Sequence, residues 1–178
     1  MQYREAEPAD ADAIASLHTQ SWRRTYRGNF PDHFLDGDLL SNRRGAWRAR
    51  LDRSTHRQFV CVAANDVKLA GFICAYGDED PEWGSLIDNL HVSDDCARKG
   101  IGAALMRRAG NWLASYYGQC RVYLWVWEKN EVARRFYEGL GGENAGTADR
   151  QNNSGESSRN CRYVWSGPDV LAQARPEF

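Results

Sequence analysis

No apolar run in this chain approaches the ~18 residues that a membrane-spanning helix needs. The opening MQYREAEPAD is polar and acidic, where a secretory signal is basic and then apolar. Both absences lead to the expectation of a soluble, cytoplasmic protein with no membrane partner. A charge excess is also missing. Lys and Arg number 23 and Asp and Glu 24, for a net charge of −1. No bulk field therefore draws the chain to nucleic acid, and any basic site must be local. The five cysteines, Cys61, Cys74, Cys96, Cys120 and Cys161, are odd in number, far apart and without a C-x-x-C pair. That spacing argues against a disulfide framework and against a zinc site. Cys61 and Cys74 fall in apolar, strand-like runs, where a free thiol packs as a small hydrophobe. The four histidines are scattered without metal-ligand spacing, so no metal is expected.

What is present is a chain of 178 residues, 42% of them apolar, enough for the core of one domain. The expected domain is 1–178, with a core of about 2–166 and a weakly structured tail after Pro168. QYREA reads as a short strand. PADADAIASLHTQSW follows as a helix, with Pro and Asp at its start and Ile14 and Leu17 one turn apart. NFPDHFLDGDLL and RRGAWRARLD read as two more helical pieces. RQFVCVAAND and LAGFICAYGD are apolar and separated by the turn signal Asn65-Asp66, which predicts a hairpin. SLIDNLHV reads as a third strand of that sheet.

From Ile101 the apolar spacing turns helical, through Ala104, Leu105, Ala109, Trp112, Leu113 and Tyr116. RVYLWVW is apolar on both faces, as a buried central strand is. NEVARRFYEGLGG is a helix with Asn130 as N-cap and glycines at its end. TADRQNNSGESSRN reads as a polar loop and CRYVWS as a last strand. The fold class is α/β, in layers of the α+β kind: a mixed, mostly antiparallel sheet flanked by helices.

CARKGIGAAL carries the chemistry. The G-x-x-x-x-G-K-[ST] order of a P-loop is missing. A dinucleotide site has the first two glycines and Glu128 as a ribose-binding acid, but Leu105 stands at the third glycine position. Gly100 and Gly102 could also shape a strand-to-helix turn and nothing more. The remaining reading is a pyrophosphate over a helix N-terminus. There the free N–H groups of residues 98–103 and the helix dipole favour an anion, and Arg98 and Lys99 add charge.

LHVSDDCARKGIGAAL followed by NEVARRFYEGLG resembles the two signature regions of the GNAT superfamily of acyl-CoA-dependent N-acetyltransferases. YREAEPADADAIASLHTQSWRRTYRG resembles the family's first strand and helix, and AGFICAYG its third strand. The likeness runs in order over roughly residues 2–166. One position departs: the family has Gln or Arg three residues before the first glycine, and here that residue is Ala97, with Arg98 one step later.

The resemblance implies a strand, two helices, three strands, a helix, a strand, a helix and two strands. It implies acetyl-CoA as co-substrate, bound by Leu90, His91, Val92, Arg98, Lys99, Gly100, Ile101, Gly102, Ala103, Asn130, Ala133, Phe136 and Tyr137. Two parallel strands, SLIDNLHV and RVYLWVW, would splay to admit the pantetheine arm. Tyr137 is the implied general acid, and the Leu90 N–H the donor to the thioester carbonyl. Asp88 is a candidate base. Trp22, Tyr26, Asp88 and Asn89 are candidates to line the acceptor pocket. The acidic turn of Asp78, Glu79, Asp80 and Glu82 reads as solvated, or as an attractor for a cationic amine. The expected partner is a small-molecule amine or a protein amino group, and family members often form homodimers. A CoA-binding module without catalysis is the alternative.

Overall fold

The computed structural model describes residues 1–174 except 29, 54, 152–154 and 156. One seven-stranded sheet organises the chain, in the order β1-β2-β3-β4-β5-β7-β6. The strands are β1 (Gln2–Glu5), β2 (Gln58–Ala64), β3 (Leu69–Asp80), β4 (Gly84–Val92), β5 (Val122–Trp127), β6 (Glu143–Gln151) and β7 (Ser157–Trp165). Every neighbouring pair is antiparallel except β4 and β5. The helices are α1 (Ala11–Thr25), α2 (Asp32–Asp36), α3 (Leu39–Asp52), α4 (Ile101–Tyr117), α5 (Glu131–Gly139) and α6 (Pro168–Gln173).

The hairpin strands are apolar over residues 59–63 and 70–75 because both faces of the sheet are covered there. Alternate residues point to opposite faces. Phe59, Cys61, Ala63, Ile73 and Ala75 pack with Leu105, Met106 and Leu113 of α4 on one side. Val60, Val62, Phe72 and Cys74 pack with Ile14 and Leu17 of α1 and Trp47 of α3 on the other. The turn between β2 and β3 is held by the Asn65 side chain, whose Oδ1 accepts from the N–H groups of Val67 at 3.0 Å and Lys68 at 2.9 Å.

Several expectations need correction. Three helices, not the two that the family order implies, precede the first hairpin, as the residues themselves suggest. Tyr116, placed on the apolar face of α4 by spacing, is 70% exposed; the buried stripe is closed by Leu113 and includes Ala103 and Met106, while Ala104 is half-buried. The polar stretch 147–160 is largely a strand pair. Thr147 pairs with Cys161 and Gln151 with Ser157, while 152–154 and 156 lie outside the described residues. Polarity misleads there because β6 is an edge strand exposed along most of its length.

The tail after Pro168 is not loose, at least as far as residue 174. It forms α6, with Leu171 fully buried against α4. Gly110 of α4 makes that docking feasible: a Cβ there would sit 2.7 Å from the Ala172 nitrogen and 2.8 Å from Leu171 Cβ. Alanine is the better helix former by ~1 kcal/mol, yet Gly110→Ala is expected to lower the melting temperature. A rise in thermal denaturation would mean that α6 does not pack on this helix.

Candidate active site

The central cleft starts from a defect in strand pairing. β4 runs beside β3 with Asn89 opposite Cys74 and Ile87 opposite Ala75, so Asp88 is an extra, unpaired residue. A bulge of this kind bends its strand. On the other side β4 pairs with β5 only at Ser85–Val122 and Leu86–Tyr123. Beyond these two positions the parallel strands part. β4 accordingly changes from buried at Gly84 and Ser85 to half-buried at Asn89, Leu90, His91 and Val92. The gap opens into a cleft of about 1130 Å³.

One end of the cleft is built from backbone. After β4 the chain makes a short turn and enters α4 through two residues in left-handed conformation, Arg98 at φ 57° and Gly100 at φ 76°. Left-handed φ is uncommon for a residue with a Cβ, and alternation of this type forms a concave nest of N–H groups. The first helical bond runs from Ala104 N–H to the Gly100 carbonyl at 3.0 Å, which leaves the N–H groups of Ile101, Gly102 and Ala103 outside the helical ladder. Gly102 lies under α5: a Cβ there would stand 3.3 Å from the tip of the Phe136 ring. α5 is capped by Asn130, whose Oδ1 accepts from Ala133 N–H at 3.2 Å. Arg98, Lys129 and Arg135 also line the cleft, so this end is basic. Lys99 turns away and donates from Nζ to the Asp95 carbonyl at 2.7 Å.

Tyr137 stands between the two ends. It is 9% exposed, borders the cleft, and packs against Phe136, Tyr163 and Trp165. Burial raises its phenol pKa above the ordinary value, with the nearby Tyr26 as a smaller cause.

The other end is made of side chains from α1 and α3. Tyr26 stacks on Phe30 with ring centroids 4.6 Å apart and meets Trp127 at 6.0 Å. Trp22 does two things at once: it anchors a small core of Phe30, Leu35 and Leu39, and it borders the cleft. His91 shares a hydrogen bond with Ser21 Oγ at 2.8 Å, and burial pushes its pKa down to about 3, with Arg24 adding to the effect. His18 is 2% exposed and accepts from Trp47 Nε1–H on Nδ1 at 2.9 Å. Its proton is therefore on Nε2, and burial keeps the ring neutral.

Asp88 is ion-paired: Arg50 Nη1 lies 3.0 Å from its Oδ2, and Asn89 Nδ2 donates to the same oxygen. The acidic turn stays away from the cleft. Asp80 Oδ1 accepts from the N–H groups of Glu82 and Trp83 at 2.9 and 3.0 Å and so shapes the β3–β4 turn.

The cleft thus gathers the candidates from β4, α4, α5 and α1, Lys99 excepted. Sequence reasoning missed His18, Arg43, Arg50 and Trp127, which also line it. A signal existed for two of them. Arg43, Trp47 and Arg50 recur at helical spacing, which places two cations on the same face as a buried tryptophan.

Residues 15–141 match the model of the acetyltransferase (GNAT) family. A probable N-acetyltransferase of Mycobacterium tuberculosis is 27% identical over 146 residues, covering 76% of this chain and 75% of the relative. Two solved structures share the fold. The PaiA N-acetyltransferase of Thermoplasma acidophilum, crystallised with coenzyme A, has a TM-score of 0.67 at 16% identity, covering 92% of this chain and 98% of its own. A Salmonella typhimurium protein whose structure holds its cofactor acetyl-CoA has a TM-score of 0.64 at 17% identity, over 93% and 92% of the two chains. With the family model spanning most of the sequence, over the strands and helices that build the cleft, the chain belongs to the GNAT family of acetyltransferases.

Proposed function

We propose that the protein transfers an acetyl group from acetyl-CoA to a primary amine, with Tyr137 as general acid. The parting of β4 and β5 over the N-terminus of α4 carries this reading. It leaves backbone groups of Leu90–Val92 without a strand partner on the β5 side, where an extended pantetheine arm can pair as an added strand. The N–H groups at residues 98–103 suit a pyrophosphate, and Arg98 supplies charge close to the position that Ala97 leaves neutral. Acetyl-CoA-bound and CoA-bound relatives of the same fold support the choice of co-substrate.

In the reaction the amine nitrogen forms its bond to the acetyl carbon as the carbon–sulfur bond breaks. The Leu90 N–H donates to the carbonyl oxygen as charge develops there, an effect worth about 3 kcal/mol when the donor is well placed. Tyr137 gives its proton to the departing sulfur. Asp88 takes the amine proton directly or through water: both of its contacts fall on Oδ2, and Oδ1 has no partner among the described residues. Asn89, Trp22 and Tyr26 border the acceptor's place. A module that binds CoA without turnover is the competing reading, and Tyr137 at the cleft wall speaks against it.

Acetyl-CoA and CoA are expected to raise the melting temperature and NAD is not. Ligand at one hundred times its dissociation constant stabilises by about 2.7 kcal/mol. Stabilisation by NAD alone would bring back the dinucleotide reading. Tyr137→Phe keeps the ring among its aromatic neighbours and removes the hydroxyl. The maximal rate is expected to fall by ~10², with little change in the Michaelis constant for acetyl-CoA. Near-normal turnover with a good acceptor, together with a lowered melting temperature, would make Tyr137 a packing residue.

A further inference from the structure

Arg43 is half-buried at the acceptor end of the cleft, with its guanidinium carbon 4.7 Å over the ring of Trp22. Its Nε and Nη2 both donate to Asn42 Oδ1, at 3.2 and 2.6 Å. Its Nη1 has no partner, and no carboxylate lies within ion-pair distance of the group, among the described residues. The nearby charges are Arg50, which repels it, and Asp88, which attracts it but is already held by Arg50. α3 therefore turns two cations toward a place where the structure supplies one anion. Arg43 lies over Trp22 and Arg50 over Trp47, and Tyr26 and Trp127 line the same cleft.

A guanidinium held over a ring, with a donor unspent, is pre-organised for a planar anion. A cation partly withdrawn from water without a partner is costly, and an anionic substrate group relieves that cost. A polycationic amine would instead meet surplus positive charge.

From this arrangement we infer that the acceptor is a free amino acid with an apolar or aromatic side chain. Its carboxylate is held by Arg43, its side chain lies among the tryptophans, and its amine faces Asp88. The inference rests on the acetyl-transfer reading, whose failure would be separately visible.

The test follows thiol release from acetyl-CoA with matched amines: leucine against 3-methylbutylamine, and phenylalanine against phenethylamine. The phosphonate analogue of leucine distinguishes a carboxylate from a bulkier, more highly charged anion. The carboxylate-bearing partner is expected to have the higher kcat/KM by about 10- to 100-fold, the size of a charge-assisted hydrogen bond. Arg43→Met should bring each ratio close to one, and Arg43→Lys should recover part of it. An unchanged CoA-induced thermal shift in each variant shows that the fold and the cofactor end are intact. Equal use of both amines, or an equal loss for both in Arg43→Met, overturns the inference. Better use of the phosphonate than of leucine overturns the choice of carboxylate.

Calorimetry on the CoA-loaded protein gives a readout without turnover, comparing N-acetylleucine with N-(3-methylbutyl)acetamide. Tighter binding of N-acetylleucine, lost in Arg43→Met, supports the anion site even if no amine releases thiol; that combination removes the reaction and keeps the site. Absence of the preference overturns the inference while leaving the reaction standing.

Discussion

β4 and β5 share only two paired positions, Ser85–Val122 and Leu86–Tyr123, before they separate, and the cleft exists because of that separation. Buried backbone groups demand hydrogen-bond partners, so a sheet that opens in its middle must give them to water or to a ligand. The bulge at Asp88 is what lets β4 leave β5 while staying paired to β3 through Leu90, His91 and Val92. The strand therefore remains rigid on one side and available on the other. The same bend delivers the chain to the left-handed turn at Arg98 and Gly100, which sets the start of α4 across the mouth of the gap. Closing the gap by further β4–β5 pairing would remove the free edge and bring Tyr137 of α5 out of reach of any ligand lying in it.

The two ends of the cleft are made in different ways. The end proposed for the cofactor relies on N–H groups, whose positions follow from strand, turn and helix geometry. The end proposed for the acceptor relies on side chains of α1 and α3 held by tertiary packing. There Trp47 donates to His18, His18 packs on His91 with centroids 4.6 Å apart, and His91 bonds to Ser21. Burial keeps both rings neutral, so the charge at this end comes from Arg24, Arg43, Arg50 and Asp88. A helix of modest amphipathicity such as α3 thus has two duties. Trp47 and Leu51 close the core, and the arginines on either side of Trp47 face the cleft.

This difference decides what the sequence reveals. The hairpin, β5, α4 and α5 are legible because apolar period and N-cap chemistry are local properties; Asn130 caps α5 as its sequence position suggests. The glycines of the α4 turn are legible for the same reason. The bulge at Asp88 has no local signal, since an extra residue in SLIDNLHV is defined only by the register of its partner strand. β6 is hidden because an exposed edge strand needs no apolar face. α6 is hidden because its docking depends on the missing side chain of Gly110, far away in sequence. The helical spacing of Arg43, Trp47 and Arg50 is legible, but which arginine is paired is not until α3 is laid against the sheet. Only then does one arginine prove to be ion-paired and the other to lie over Trp22 with no carboxylate partner among the described residues.

The burial of Tyr137 bears on the proposed chemistry in two opposite directions. A phenol with a raised pKa is fully protonated at neutral pH and so holds the proton that a leaving thiolate needs, but it gives that proton up less readily. In water the exchange is uphill, since a thiol near pKa ~8.5 is a stronger acid than a phenol near ~10. In the proposed reaction, however, burial would act on a thiolate as it acts on the phenolate. Elsewhere in this protein burial pushes the Cys61 thiol up to about 11 and the Cys74 thiol up to about 12. In the proposed reaction a sulfur released in the cleft beside Tyr137 and Phe136 would feel a similar loss of solvent, and its affinity for the proton would rise along with that of the phenol. What matters is the difference between the two groups, and a shared desolvated wall keeps it small. Exposing Tyr137 would make the phenol a stronger acid and the sulfur a weaker base together. If Tyr137 is the acid as proposed, the aromatic packing around its ring would serve proton transfer by excluding water, which would otherwise compete for the proton and solvate the thiolate.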